Sequence, residues 1–138
     1  KKNIGIIFQS FYLIPNYTAV ENVALTLELN NFKNPQKEAK ILLDRFGLKH
    51  RFNNLPSQLS GGEQQRVAIA RAFACSAKIL FADEPTGNLD PKNGQVVSDL
   101  LFEVNSETDN ALVIVTHDLE LAARCDKTID LKLGRIVK

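Results

Sequence analysis

The stretch that decides the fold runs from Leu59 to Asp90 and reads LSGGEQQRVAIARAFACSAKILFADEPTGNLD. Near its start, Ser60 and Glu63 stand three residues apart, which predicts a capping box at the beginning of a helix. A cap alone does not explain Gly61 and Gly62, because glycine costs a helix about 1 kcal/mol relative to alanine. Unpaired amides at a helix N-terminus attract phosphate. We therefore interpret this segment as a phosphate-binding helix start.

A second chemical feature follows in the same stretch. The apolar run Ile79–Ala82 predicts a strand buried on both faces, as in a parallel sheet covered by helices. Asp83 and Glu84 come at its carboxyl end, where α/β sheets bind ligands, and Pro85 ends the strand. Asp83 is suited to hold Mg²⁺ through water, and Glu84 to orient or deprotonate an attacking water. The alternative, a solvated turn after a core strand, explains one carboxylate more easily than an ordered pair.

These segments resemble motifs of the ABC-type ATPases: LSGGEQQ the signature motif, ILFADE the Walker B strand, and Asn88-Leu89-Asp90 the D-loop. Their order and spacing also match. In that family, two nucleotide-binding domains pair head to tail, and the signature of one covers the ATP held by the other. The resemblance implies ATP and Mg²⁺ as cofactors, contacts from Ser60-Gly61-Gly62-Glu63 to the partner subunit's ATP, and a dimer contact at Asp90. Asp90 also fits a helix cap followed by Pro91, and both roles can hold.

Composition limits the other classes of function. The chain has 138 residues and a formal net charge of +1, with basic and acidic residues interspersed, so nucleic acid is not expected as the main partner. No run of about 18 apolar residues occurs, so we expect a soluble chain that is not exported. The two cysteines, Cys75 and Cys125, have no metal-ligand spacing and are expected to be reduced.

The sequence contains no G-x-x-x-x-G-K-[ST] phosphate loop and no methionine, and it opens on Lys1-Lys2. We therefore expect it to be the C-terminal part of a larger ATPase domain, with the phosphate loop before Lys1. The 138 residues alone are predicted to show no ATP turnover.

The first part of the chain resembles the Q-loop and helical subdomain of the family. Ile4–Phe8 predicts a strand that delivers Gln9 to its end. On position alone Gln9 is a loop residue, but the resemblance implies a glutamine that contacts Mg²⁺ or the attacking water. Phe11–Tyr17 is apolar around a proline, so it either packs inside the subdomain or forms a docking surface. By resemblance, this segment receives a coupling helix of a transmembrane permease subunit.

Helix signals divide the rest of this region. Thr18 and Glu21 predict a capping box, and Asn34-Pro35 predicts a helix start that Gly47 closes. The connection that follows, 48–58, is polar. We predict a helical subdomain over about 9–57 and a core region over about 58–138, with signature helix, Walker B strand, D-loop and switch region.

A third apolar run, Ala111–Val115, predicts a strand that ends in Thr116-His117-Asp118. The ends of parallel strands share one edge, so these polar residues are expected beside Asp83 and Glu84. A lone histidine is usually a surface or core residue. The resemblance implies that His117 is the switch histidine, which hydrogen-bonds the terminal phosphate and Glu84. Asp118 is expected to cap a short helix, and 128–137 to form two short strands.

The predicted fold class is α/β, a P-loop NTPase-like, predominantly parallel sheet with an inserted helical subdomain and without its phosphate-loop strand. By resemblance, the function is that of the ATP-binding and hydrolysing subunit of an ABC-type membrane transporter, placed in the cytoplasm on the inner face of the membrane. Pro85–Asp90, Phe8–Pro15 and Glu21–Val23 look like the branch for lipoprotein release, cell division and macrolide export. The alternatives are a non-transport ABC ATPase and an importer ATPase.

Overall fold

A computed structural model describes residues 4–137. It contains a three-stranded parallel sheet formed by β1 (Ile4–Ile7), β2 (Ile79–Asp83) and β3 (Ala111–Val115), in the order β1-β2-β3. The strand sequences are rich in isoleucine, leucine and valine, which suit a pleated, half-buried surface. Because β2 lies in the middle, the carboxylates at its end are flanked by the ends of both neighbouring strands.

The sheet has one buried and one exposed face. Ile7 and Leu80 are at most 1% exposed, whereas Ile6, Phe81 and Val113 are 49, 38 and 41% exposed. The prediction of strands buried on both faces is therefore wrong for the described chain. Side chains alternate between the two faces of a strand, and within residues 4–137 the helices cover only the face on which Ile7 and Leu80 lie.

Five helices connect and cover the strands within the described part of the chain. Two of them, α1 and α2, lie between β1 and the signature stretch, and two 3-10 turns follow them. Their bounds are α1 (Ala19–Leu29), α2 (Pro35–Arg45), α3 (Gly61–Phe73), α4 (Pro91–Ser106) and α5 (Leu119–Ala123), with 3-10 turns at Lys49–Arg51 and Pro56–Gln58. Helix α3 packs against α1, α2, α4 and β1, so it joins the helical region to the sheet.

Most helix ends lie where the local sequence patterns predict them. The predicted capping boxes at Thr18 and Ser60 are both present, and Gly47 follows α2 with a φ of +68°. Asn34 stands at the start of α2, but its side chain makes no capping hydrogen bond. The connection after α2 is less polar than predicted, because Leu48 is fully buried in the core.

The C-terminal residues form the two short strands that the sequence predicted. They are β4 (Asp130–Lys132) and β5 (Arg135–Val137), paired antiparallel as a separate two-stranded sheet. The turn between them contains Gly134 at a φ of +72°, a conformation that glycine adopts without steric cost.

Candidate nucleotide-hydrolysis site

Glu84, directly after β2, is held by the residues that follow β3. Its Oε2 accepts a hydrogen bond from Thr116 Oγ1 at 3.1 Å, and its Oε1 accepts one from His117 N at 3.0 Å. The Nδ1 atom of His117 lies 2.7 Å from the same Oε1. The side chain of Glu84 is 19% exposed and that of His117 is 85% exposed. The structure thus brings together two residues that the sequence placed on one edge, and the ring of His117 remains accessible.

The backbone at Glu84 is strained. Glu84 has a φ of +43°, a left-handed conformation that costs a non-glycine residue on the order of 1–3 kcal/mol. A hydrogen bond from Glu84 N to Val115 O, 2.8 Å long, fixes the turn to the end of β3. Strain of this kind persists where surrounding contacts impose it, and it is concentrated at functional sites. No sequence signal pointed to this conformation.

Asp83 is the last residue of β2 and pairs with Val115 of β3. It lies on the exposed face of the sheet, and its carboxylate makes no hydrogen bond or ion pair within residues 4–137. Within the same residues, no group of three or more His, Cys, Asp and Glu side chains is placed to hold a metal ion. A single free carboxylate fits Mg²⁺, which proteins usually bind through one or two carboxylates together with water and substrate phosphates.

Gln9 follows β1 and contacts the turn after β2. Gln9 Nε2 donates to Asn88 Oδ1 at 3.2 Å, and Asn88 Nδ2 donates to Gln9 O at 3.0 Å. A Cβ atom at Gly87 would lie 2.9 Å from Gln9 Nε2 and 3.2 Å from Glu84 Cβ. Gly87 therefore lets Gln9 approach the segment that carries Glu84.

The signature residues start helix α3 and bind each other. Ser60 N donates to Glu63 Oε2 at 2.8 Å, and Glu63 N donates to Ser60 Oγ at 3.3 Å. Arg51 Nε donates to the other carboxylate oxygen, Glu63 Oε1, at 2.8 Å. Burial acts to raise the pKa of Glu63, but the hydrogen bonds from Ser60 and Arg51 outweigh it, so the pKa lies below its usual value. Glu63 is thus an ionised internal cap with both oxygens engaged.

The two glycines of the signature differ. A Cβ atom at Gly62 would lie 3.0 Å from Asn93 Oδ1, so close packing against α4 explains the missing side chain there. A Cβ atom at Gly61 would meet only Leu89 and Phe11, at ordinary distances of 3.7 and 3.9 Å. Packing therefore accounts for the glycine at position 62 but not for the one at position 61, where a ligand near the helix N-terminus would account for it.

Helix α3 is also joined to the segment after β2. Gln65, which is 1% exposed, donates from Nε2 to Pro85 O at 2.7 Å. Asp90 caps α4, accepting from Asn93 N at 3.1 Å and from Asn93 Nδ2 at 2.6 Å. These hydrogen bonds from Asn93 lower the pKa of Asp90. The signature helix and the D-loop segment therefore form one connected surface, and the predicted dimer contact of Asp90 stays a prediction.

The apolar segment Phe11–Tyr17 is held from two helices. Arg71 of α3 donates to Phe11 O at 2.9 Å and to Tyr12 O at 2.6 Å. Asn22 of α1, which is 1% exposed, bonds Ile14 through both its amide atoms and also donates to Tyr17 O. Tyr12 has a φ of +46° and remains 68% exposed. The backbone is fixed while an aromatic side chain faces solvent.

The sequence did not predict the supporting contacts made by Asn22, Arg51, Arg71 and Asn88, although Asn22 and Asn88 lie within the quoted branch and D-loop motifs. Asn22 lies on the helix face marked by Val23 and could have been noticed as a polar residue among buried ones. The other three act on residues 12 to 79 positions away, and no local pattern identifies such partners.

No helix among residues 4–137 combines the length and the apolar character needed to cross a membrane. The described chain thus combines three parallel strand ends, a glycine-containing helix start and a glutamate-histidine pair. The family model for ABC transporters matches residues 1–87, and the chain belongs to this family.

Two sequence relatives and two solved structures show where the similarity lies. The chain is 52% identical over 137 residues to the uncharacterized ABC transporter ATP-binding protein YbbA of Escherichia coli K12, covering 98% of this chain and 60% of YbbA. It is 48% identical over 136 residues to the lipoprotein-releasing system ATP-binding protein LolD of Hydrogenovibrio crunogenus, covering 97% and 59%.

Two of the solved structures that match are dimeric structures of the ATP-binding cassette MJ0796. One, in a post-hydrolysis state with ADP and Pi, has a TM-score of 0.85 at 41% identity, and the other has 0.86 at 42%. Each match covers 99% of this chain and 62% of the cassette. The chain therefore spans about three fifths of the length of its relatives. The predicted resemblance to the ABC-type ATPases and the predicted α/β fold class are confirmed.

Proposed function

We propose that this chain forms part of the ATP-binding and hydrolysing subunit of an ABC-type membrane transporter. The observation that carries the proposal is the contact of Glu84 with Thr116 and His117 at the ends of β2 and β3, beside the free carboxylate of Asp83. The names of the relatives, which are ABC transporter ATP-binding proteins, support the same class.

The proposed chemistry assigns one role to each strand-end residue. Bound ATP supplies the phosphoryl group, and Mg²⁺ neutralises charge on its phosphates. Asp83 and the amide of Gln9 would hold the metal. Glu84 orients a water molecule and accepts its proton, and the exposed ring of His117 donates a hydrogen bond to the terminal phosphate. The hydrogen bonds from Thr116 and from the backbone of His117 keep the carboxylate of Glu84 in place.

The signature residues are proposed to serve a second copy. Ser60, Gly61 and Gly62 offer hydroxyl and amide groups to the terminal phosphate of ATP held by that copy, and Asp90 lies at the contact between the two. Glu63 acts on the same site indirectly, because its carboxylate is engaged by Ser60 and Arg51. The dimeric structure of the MJ0796 cassette supports a pair of copies, which the proposal arranges head to tail.

We assign the segment Phe11–Tyr17 to the docking of a transmembrane permease subunit. With that assignment, the proposed location is the cytoplasm, peripheral on the inner face of the membrane. Export, or release of a lipoprotein or lipid, is favoured by the similarity to LolD. Tyr12→Ala should weaken co-purification with the permease, because Tyr12 is 68% exposed and its ring contact is with Phe8 of the same part of the chain. Unchanged co-purification would contradict this docking site.

The ATPase proposal is tested on the full-length protein and on the 138-residue chain in parallel. The full-length protein should hydrolyse ATP only with Mg²⁺, and His117→Ala should reduce the rate roughly 10- to 100-fold without lowering ATP binding. The 138-residue chain, which contains no phosphate-loop sequence, should show no turnover. A full-length protein without Mg²⁺-dependent hydrolysis would contradict the proposed function.

A further inference from the structure

Asn88 bonds both the backbone and the side chain of Gln9, although the two are 79 positions apart. Its Nδ2 donates to Gln9 O at 3.0 Å, and its Oδ1 accepts from Gln9 Nε2 at 3.2 Å. Gly87 makes room for this contact, because a Cβ atom at position 87 would lie only 2.9 Å from Gln9 Nε2. The turn after β2 therefore determines where the Gln9 side chain lies.

The orientation of both amides follows from one backbone group. The carbonyl oxygen of Gln9 only accepts hydrogen bonds, so Asn88 must turn its NH₂ group towards it. The Oδ1 atom of Asn88 then faces the Gln9 amide, and as an acceptor it selects the NH₂ group of that amide. The oxygen Oε1 of Gln9 is left as the atom that makes no hydrogen bond within residues 4–137.

We propose that Asn88 is a positioning residue that orients the Gln9 amide, so that its oxygen is the atom offered to Mg²⁺ or to the attacking water. This inference rests on the proposed function of the strand-end site. Mg²⁺ binds oxygen ligands in strict octahedral geometry, so an amide that presents its nitrogen contributes nothing to the metal. Asn88 contributes no ligand itself and acts only through Gln9.

The test measures metal binding directly, apart from turnover. In the full-length protein carrying Glu84→Gln, which prevents hydrolysis, Mn²⁺ binding in the presence of ATP is measured by electron paramagnetic resonance. Adding Asn88→Ala should weaken Mn²⁺ binding roughly 3- to 10-fold, the range expected for loss of one orienting hydrogen bond. Asn88→Ser, whose short side chain cannot contact both groups, should do the same. Asn53→Ala, at an exposed asparagine without side-chain hydrogen bonds, is the control and should change nothing.

A double-mutant comparison separates positioning from a structural role. In a Gln9→Ala background, Asn88→Ala should cause no further loss of Mn²⁺ affinity, because the residue it orients is gone. An equal loss in both backgrounds, or unchanged Mn²⁺ binding in Asn88→Ala alone, would overturn the inference and leave the proposed ATPase intact. If the full-length Glu84→Gln protein with Asn88 unchanged bound neither ATP nor Mn²⁺, the proposed function would be overturned, and this inference with it.

Discussion

The strand ends and the start of helix α3 satisfy their polar groups in different ways. At the strand ends, Glu84 is held by the residues that follow β3, and Gln9 is held by Asn88 from the turn after β2. At the helix start, Ser60 and Glu63 satisfy each other, and Gly61 has no side chain although packing does not require its absence. One region is assembled within the chain from distant segments. The other is capped mainly by its own residues, with one further hydrogen bond from Arg51, and it leaves free space at Gly61.

This difference supports two kinds of contribution to a nucleotide site. The strand-end residues form an internally connected set, as expected for groups that must be held in fixed positions around a reacting water. The capping hydrogen bonds at the helix start come from Ser60, Glu63 and Arg51 and not from the strand-end residues, so the helix start can serve a nucleotide that another copy holds. Variants at each region separate the two contributions, and linked heterodimers show whether the two regions act at the same nucleotide.

The largest effect is expected at Glu84. Glu84→Gln removes the proton acceptor but keeps a side chain of the same shape beside Thr116 and His117. In the full-length protein, ATP hydrolysis should fall roughly 100- to 10,000-fold while ATP binding persists and a closed dimer accumulates. Rates are measured by phosphate release, and dimers by size-exclusion chromatography with ATP. Glu120→Gln, at an exposed glutamate, is the matched control; a Glu84→Gln protein with normal turnover would remove Glu84 from its role.

Gly61 should give a second large effect, on rate alone. A carboxylate at the N-terminus of α3 stabilises a helix, and a Cβ atom has room there, so Gly61→Asp should not lower the melting temperature. The same negative charge repels phosphate, so hydrolysis should fall roughly 100-fold. Gly62→Ala is the contrast, because its Cβ would press on Asn93 and destabilise the fold. If Gly61→Asp retained full activity, the helix start would not face a phosphate.

The smallest predicted effect concerns stability. Arg51→Ala removes a charged partner of Glu63 and should lower the free energy of unfolding by about 1–3 kcal/mol. Removing Arg45, whose partner Glu107 is exposed, should cost at most about 1 kcal/mol and serves as the control. Urea unfolding measures both. Equal effects for Arg51 and Arg45 would show that the burial of Glu63 does not strengthen its pairing with Arg51.

The same carboxylate predicts a pH dependence. The pKa of Glu63 is lowered in the folded chain from an ordinary value of 4.5, so its stabilising contribution is present above that value. The contribution is lost as the pH falls through the lowered folded pKa. The free energy of unfolding of the unsubstituted protein should therefore decrease as the pH falls below about 4.5. In Glu63→Gln this part of the decrease should be smaller. An unchanged pH profile in Glu63→Gln would contradict the assignment.

Local chemistry made part of the structure predictable. The caps at Thr18 and Ser60, the turn at Gly134 and the three parallel strands follow from patterns within a few residues of each other. The meeting of Glu84 and His117 was predictable too, because parallel strands end on one edge of a sheet.

The remaining features depend on contacts between distant segments. The left-handed backbone of Glu84 is imposed by its bond to Val115, and the role of Asn93 in excluding a side chain at Gly62 depends on how α3 and α4 pack. Helix coverage of the sheet was misjudged for a similar reason. An apolar run shows that a strand is suited to burial, but it does not show which elements cover each face.

The central claim is that the helix start of one copy and the carboxylate of another share a nucleotide, and linked heterodimers of the full-length protein test it directly. One linked pair carries Gly61→Asp in one copy and Glu84→Gln in the other, and a second pair carries both changes in one copy. We predict that the first pair retains ATP hydrolysis at one intact site and that the second pair has none. Hydrolysis by the second pair and none by the first would contradict the account, because it would place both residues at the same copy's ATP.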